Sequence, residues 1–139
     1  MSINSTKPTI AFWVISVLAL LWNLIGVMAY LTRAFITDEM IATLPEPQQA
    51  EFAVVYPAWV TAAFALAVFC GALGTIALLI RKKWATNLFL ISAIAAFVQH
   101  VYIFLNVEVN SFIMPVLVLL ICVFLFWYTK KCADDGILN

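Results

Sequence analysis

The stretch IAFWVISVLALLWNLIGVMAYL, Ile10 to Leu31, decides the fold. It carries no charge, and a helix of roughly 20 apolar residues is enough to cross a hydrocarbon core about 30 Å thick. Three similar stretches follow, Ala58 to Ile80, Ala85 to Leu105 and Phe112 to Tyr128. The pattern predicts an all-α protein, a four-span transmembrane helix bundle forming a single membrane domain over residues 1–139. Residues 32–57 form the one sizeable loop, which is expected to be helical and extracytoplasmic.

Composition supports this reading and excludes others. The chain has 139 residues, 66% hydrophobic and 10% charged, where a soluble domain carries about 25% charged residues. Mean hydropathy is +1.10. A formal net charge of zero gives no basic face for nucleic acid. The bilayer is the first partner implied.

Orientation follows from the basic residues. Lys7 precedes span one, Arg81, Lys82 and Lys83 fill the link between spans two and three, and Lys130 and Lys131 follow span four. Only Arg33 falls on the other side. Lys and Arg near span ends stay cytoplasmic, so both termini are expected in the cytoplasm, and the turn Asn106 to Ser111 outside. Tyr30, Tyr56, Trp59 and Tyr102 then fall at the outer boundary, and Trp84, Trp127 and Tyr128 at the inner one, as interfacial anchors do. The first apolar run exceeds a signal-peptide core and lacks a small-x-small cleavage site, so it reads as an uncleaved anchor. The setting expected is a bacterial inner membrane.

Several chemistries lack their residues. Cys70 and Cys122 lie within spans and Cys132 in the tail, without the C-x-x-C spacing of a thiol oxidoreductase. One histidine cannot hold a metal that needs three or four ligands. No nucleophile–base pair, carboxylate dyad or phosphate loop is present, so neither an enzyme nor a cofactor is expected.

The polar residues inside the spans are the candidates for function. In span one, Ser16, Ala19, Asn23, Gly26 and Tyr30 recur at alternating three- and four-residue steps; in span three, Ser92, Ala95, Gln99, Tyr102 and Asn106 do the same. Each set occupies one helical stripe. Span two offers a small face of Ala67, Gly71 and Gly74 with Thr75 beside it. Spans one, two and three are therefore expected to face one another, with span four the most apolar. Counting depth places Ser16, Thr75 and Ser92 at one level and Asn23 with Gln99 at another, His100 beside them.

Two readings stand. In one, Asn23 and Gln99 hydrogen-bond each other as ordinary helix–helix glue. In the other, Asn23, Gln99, His100, Tyr30, Tyr102, Ser16, Ser92 and Thr75 line a polar cavity, open outward, that binds a small neutral solute. Asn and Gln supply both donors and acceptors, which suits a neutral solute better than an ion. His100 is the one titratable group inside the spans, either a satisfied structural residue or a proton relay.

The loop has its own signals. Thr37 caps a turn beginning Asp38–Glu39, Pro45 ends it, and a second helix is expected from Glu46 with Pro47 at its start. Phe52 and Val55 are expected to face the bundle. Asp38, Glu39, Glu46 and Glu51 against Arg33 leave this loop net negative.

The order of segments resembles a group of small bacterial four-helix integral membrane proteins often labelled "sugar transporter". The resemblance rests on W-N-L-I-G-V-M-A-Y (Trp22 to Tyr30), Leu-Pro-x-Pro (Leu44 to Pro47), and Pro-Ala-Trp-Val (Pro57 to Val60) leading to G-x-x-G (Gly71 to Gly74). The basic link Arg81 to Lys83 and Gln99 complete it. It implies the four-span fold and a small-solute transporter or permease, and carries over no site residues. Four spans make a narrow bundle, so a pathway is expected to need a homo-oligomer with the small residues near its interface. The alternative is an accessory or structural subunit of a larger membrane complex, held by a partner membrane protein.

Cysteines introduced at Glu46 or Asn110 should react with a membrane-impermeant thiol reagent in whole cells, and one at Lys82 should not. Labelling at Lys82 from outside would reverse the orientation.

Overall fold

A computed structural model describes residues 6–108 and 111–139; Val109 and Asn110, within the expected Asn106–Ser111 turn, lie outside the described residues. The described residues form six helices: α1 (Ile10–Phe35), α2 (Asp38–Ala42), α3 (Glu46–Ala53), α4 (Ala58–Leu79), α5 (Ala85–Asn106) and α6 (Ile113–Asp134). Four of these, α1, α4, α5 and α6, are long and apolar enough to cross a membrane. The chain is a multi-pass integral membrane protein, an all-α four-span bundle. The ends of the bundle are called here the loop end, where α2 and α3 lie, and the basic end, where Arg81–Lys83 lie.

Two spans run past their apolar stretches. α1 continues to Phe35 and stops at Ile36, because Thr37 starts the next helix by accepting from the Met40 amide at 3.3 Å. α6 continues through Lys130 and Lys131 to Asp134, since nothing there breaks a helix before Gly136. α3 begins at Glu46 with Pro47 in its first turn, where a missing N–H costs nothing.

The packing is a sequence of neighbours. α4 packs on both α1 and α5, and α5 on α6, while α1 and α5 share no extensive face. Spans one, two and three are expected from the sequence to face one another; α4 stands between the other two, so α1 and α5 meet across it rather than along a shared face. The small residues Ala67, Gly71 and Gly74 are buried in these contacts. An added Cβ at Gly74 would meet Leu88 and Phe89 of α5 at 3.3 Å, so that face is used inside the chain. The outward sides of the spans, such as Leu18, Ile25, Leu73, Ile94 and Leu120, are exposed, as residues in contact with lipid tails would be.

The basic end is closed by a device the apolar pattern does not reveal. α4 ends in a Schellman motif: the Lys82 amide donates to Ala77 O at 2.8 Å and the Arg81 amide to Leu78 O at 2.9 Å. Arg81 takes the left-handed position, with φ 61°, where glycine is usual and another residue costs roughly 1–2 kcal/mol. Its side chain compensates, donating from Nε to Ile137 O at 2.9 Å and from Nη2 to Thr6 O at 3.1 Å. α6 ends the same way, with Gly136 at φ 79° and the Ile137 amide on Cys132 O at 2.9 Å. The two caps are tied together, because the Asn139 amide donates to Arg81 O at 2.7 Å and the Lys83 amide to Asn139 O at 2.9 Å. Leu138 drives into the core beside Phe12, Leu78, Phe89 and Leu125. Residues 136–139 thereby seal this end of the bundle.

Candidate functional site

Asn23 is buried on α1 and both its amide hydrogens are spent. Nδ2 donates to Ala19 O at 2.8 Å and to Thr75 Oγ1 of α4 at 3.1 Å. Thr75 in turn donates to Gly71 O at 2.9 Å. Asn23 Oδ1 occupies the space a Cβ on Gly71 would need, and Ser92 Oγ lies 3.3 Å from that same point. Ser92 crosses from α5 to donate to Ala67 O of α4 at 2.6 Å. Asn23, Thr75 and Ser92 thus converge on one glycine, each with a partner.

Asn23 and Gln99 make no hydrogen bond to each other, which corrects the expected pairing. Helical period fixes the face of a helix, not its height against a neighbour. Counting from level span ends sets Thr75 against Ser16, whereas Asn23, seven residues further along α1, is its partner. That shift joins Asn23 to Ser92 and leaves Gln99 nearer the loop end. Ser16 is fully buried, and its Oγ has no partner among the described residues.

Gln99 lines something else. A cavity of about 320 Å³ sits at the loop end between α1, α4, α5 and the loop. Tyr30, Thr61 and Gln99 face it from the spans, and Arg33, Glu51 and Tyr56 from the loop end; Val60, Phe64 and Ile103 supply apolar wall. The Tyr30 ring is held edge-on by Phe64 and Phe69, each with centroids 5.6 Å away. Among the residues expected to form one polar cavity, the structure places Tyr30 and Gln99 here. Asn23, Thr75 and Ser92 lie in the bonded cluster below.

Tyr102 and His100 lie outside both groups. Tyr102 sits with Trp59 and Asn106 along a shallow apolar groove on the bundle's outer surface, its ring 5.3 Å from that of Trp59. His100 is half-buried, with Nδ1 2.7 Å from Ala96 O of its own helix. No cluster of metal-ligating residues occurs among the described residues.

The residue that sequence reasoning set aside is Arg33. It stands in the last turn of α1, where a cation favours the helix end. From there it reaches the loop, Nη2 donating to Val54 O at 2.7 Å and Nη1 to Glu51 O at 3.4 Å. Its guanidinium lies over Tyr56 at 4.6 Å and Phe52 at 5.6 Å, two cation–π contacts. Phe52 is half-buried through this contact; Val55, expected to face the bundle, is 90% exposed. The signal was present: a single cation among acids, on the side where the charge rule does not want it.

No family model, curated protein or solved structure matches this chain.

Gly71→Ala should lower the unfolding temperature in detergent, at a cost of about 1–3 kcal/mol for overpacking, since the new methyl must displace Asn23. Gly26→Ala meets only the Val68 side chain, with Cγ1 nearest at 3.2 Å, and should cost less. Equal stability of Gly71→Ala and the parent would mean the close approach is not a constraint.

Proposed function

We propose that this membrane protein is a small-solute permease whose solute binds in the loop-end cavity, with that end outside the cell and the basic end in the cytoplasm of a bacterium. The observation that carries the reading is the cavity itself, about 320 Å³ and walled by Tyr30, Thr61 and Gln99. Two hydroxyls and a carboxamide give donors and acceptors in both senses, the chemistry that recognises a hydroxylated, sugar-like molecule. The phenyl wall of Phe64 suits the apolar face of such a ring. The arrangement supports an outward-open state, because the opposite end is sealed by Leu138 and the two joined helix caps. Resemblance to the proteins labelled "sugar transporter" points the same way. Passage onward through so narrow a bundle requires movement of α1 against α4, or a second copy.

A second reading draws on a different observation. Asn23, Thr75 and Ser92 are all bonded within the chain, which takes these three out of any polar path through the bundle. That is what an accessory subunit, steadying a larger membrane complex, would show. Co-purification of a stable membrane partner, with no uptake by the isolated protein, would favour it.

Uptake of radiolabelled sugars and polyols into proteoliposomes separates the readings. Gln99→Leu should lower uptake by roughly tenfold or more at equal folded protein, since a buried polar group loses its partner. His100→Phe, outside the cavity, should leave uptake per folded molecule near the parent's. Full activity in Gln99→Leu would remove the cavity from the pathway.

A further inference from the structure

Arg33 brings a cation to the wall of the cavity. Of the five guanidinium N–H groups of an arginine, Arg33 gives two to the carbonyls of Val54 and Glu51, leaving three. No carboxylate pairs with it among the described residues. Its charge is met only by carbonyl dipoles and the faces of Tyr56 and Phe52. A half-buried charge is costly unless paired, and this one borders a cavity rather than a packed wall. The contacts with Tyr56, Phe52 and the two carbonyls hold the guanidinium at the cavity, and a planar fork of this kind matches a two-oxygen acceptor.

We propose that Arg33 is an anion subsite of this cavity, receiving the oxyanion of a small hydroxylated molecule that carries a single negative charge. This rests on the permease reading above and changes its solute class. The neutral class follows from Asn23 and Gln99 acting together; Asn23 is spent on Thr75, and Arg33 stands in the cavity with Gln99 instead. Glu51 limits the charge. It is among the residues that line the cavity, and the acids Asp38, Glu39 and Glu46 lie on the same loop, so a dianion such as a phosphate monoester is disfavoured. A carboxylate with neighbouring hydroxyls fits: the carboxylate on Arg33, the hydroxyls toward Thr61, Tyr30 and Gln99. A lipid phosphodiester presents the same monoanionic oxygen pair at this depth, and the test separates the two sources.

Binding is measured by calorimetry on the full chain in phosphatidylcholine nanodiscs at fixed ionic strength, with sodium gluconate and its neutral counterpart glucose as probes. Gluconate should bind about tenfold tighter than glucose, the scale of one charge-assisted contact. Arg33→Gln should abolish that advantage without abolishing glucose binding. Because Arg33 also holds the loop, Glu51→Gln serves as the second variant: its main-chain carbonyl is untouched, and gluconate affinity should rise by about twofold or more as a like charge is removed. Native mass spectrometry with phosphatidylglycerol supplies the lipid arm. Retention of that lipid, lost in Arg33→Gln and without any gluconate preference, assigns the oxyanion to a headgroup. Gluconate and glucose binding equally, with neither variant altering the ratio and no lipid retained, overturns the anion subsite while leaving the permease reading standing. Absence of binding by both probes, with no Arg33-dependent lipid, overturns both.

Discussion

The bundle turns on the absence of one side chain. Gly71 lets the Asn23 amide of α1 lie directly against the backbone of α4, and the same gap admits Ser92 from α5. Within lipid there is little hydrophobic force between helices, so close backbone approach and interhelical hydrogen bonds must hold them. Both occur here, with Asn23 on Thr75 and Ser92 on the Ala67 carbonyl. α4 takes α1 on one side and α5 on the other because its small residues let both approach closely.

That solution distributes the polar groups. Asn23, Thr75 and Ser92 are consumed in joining helices, which removes them from any role that needs free donors. Unspent polarity is left at the loop end, where Tyr30, Thr61 and Gln99 meet Arg33. The two ends are therefore built differently. One is tied together by the paired helix caps and the buried Leu138; the other carries a cavity lined by an arginine that contacts two rings and two carbonyls.

The spans were legible because apolar length is a constraint of the bilayer itself, and the loop helices because Thr37 and Pro47 are positional residues with a mechanism. The polar stripes were legible as faces. Their partners were not, because a helical period carries no information about register, and a slip of one turn replaces Thr75 as Asn23's partner with a different residue. Arg33 looked like a lone exception to a charge rule, since its contacts with Tyr56 and Val54 span more than twenty residues of chain. The α6 cap could have been read from Gly136. The α4 cap could not, for an arginine in the left-handed position leaves no mark in the sequence.

The central claim, that Asn23 and Thr75 bind α1 to α4, is tested by a double-mutant cycle on unfolding in a membrane mimetic. Asn23→Ala also removes the bond to Ala19, and Thr75→Val the bond to Gly71, but both of these cancel in the cycle. The bond between the two side chains predicts a coupling of roughly 0.6–1.7 kcal/mol, the range for hydrogen bonds between membrane helices. Strict additivity of the two substitutions would contradict the account.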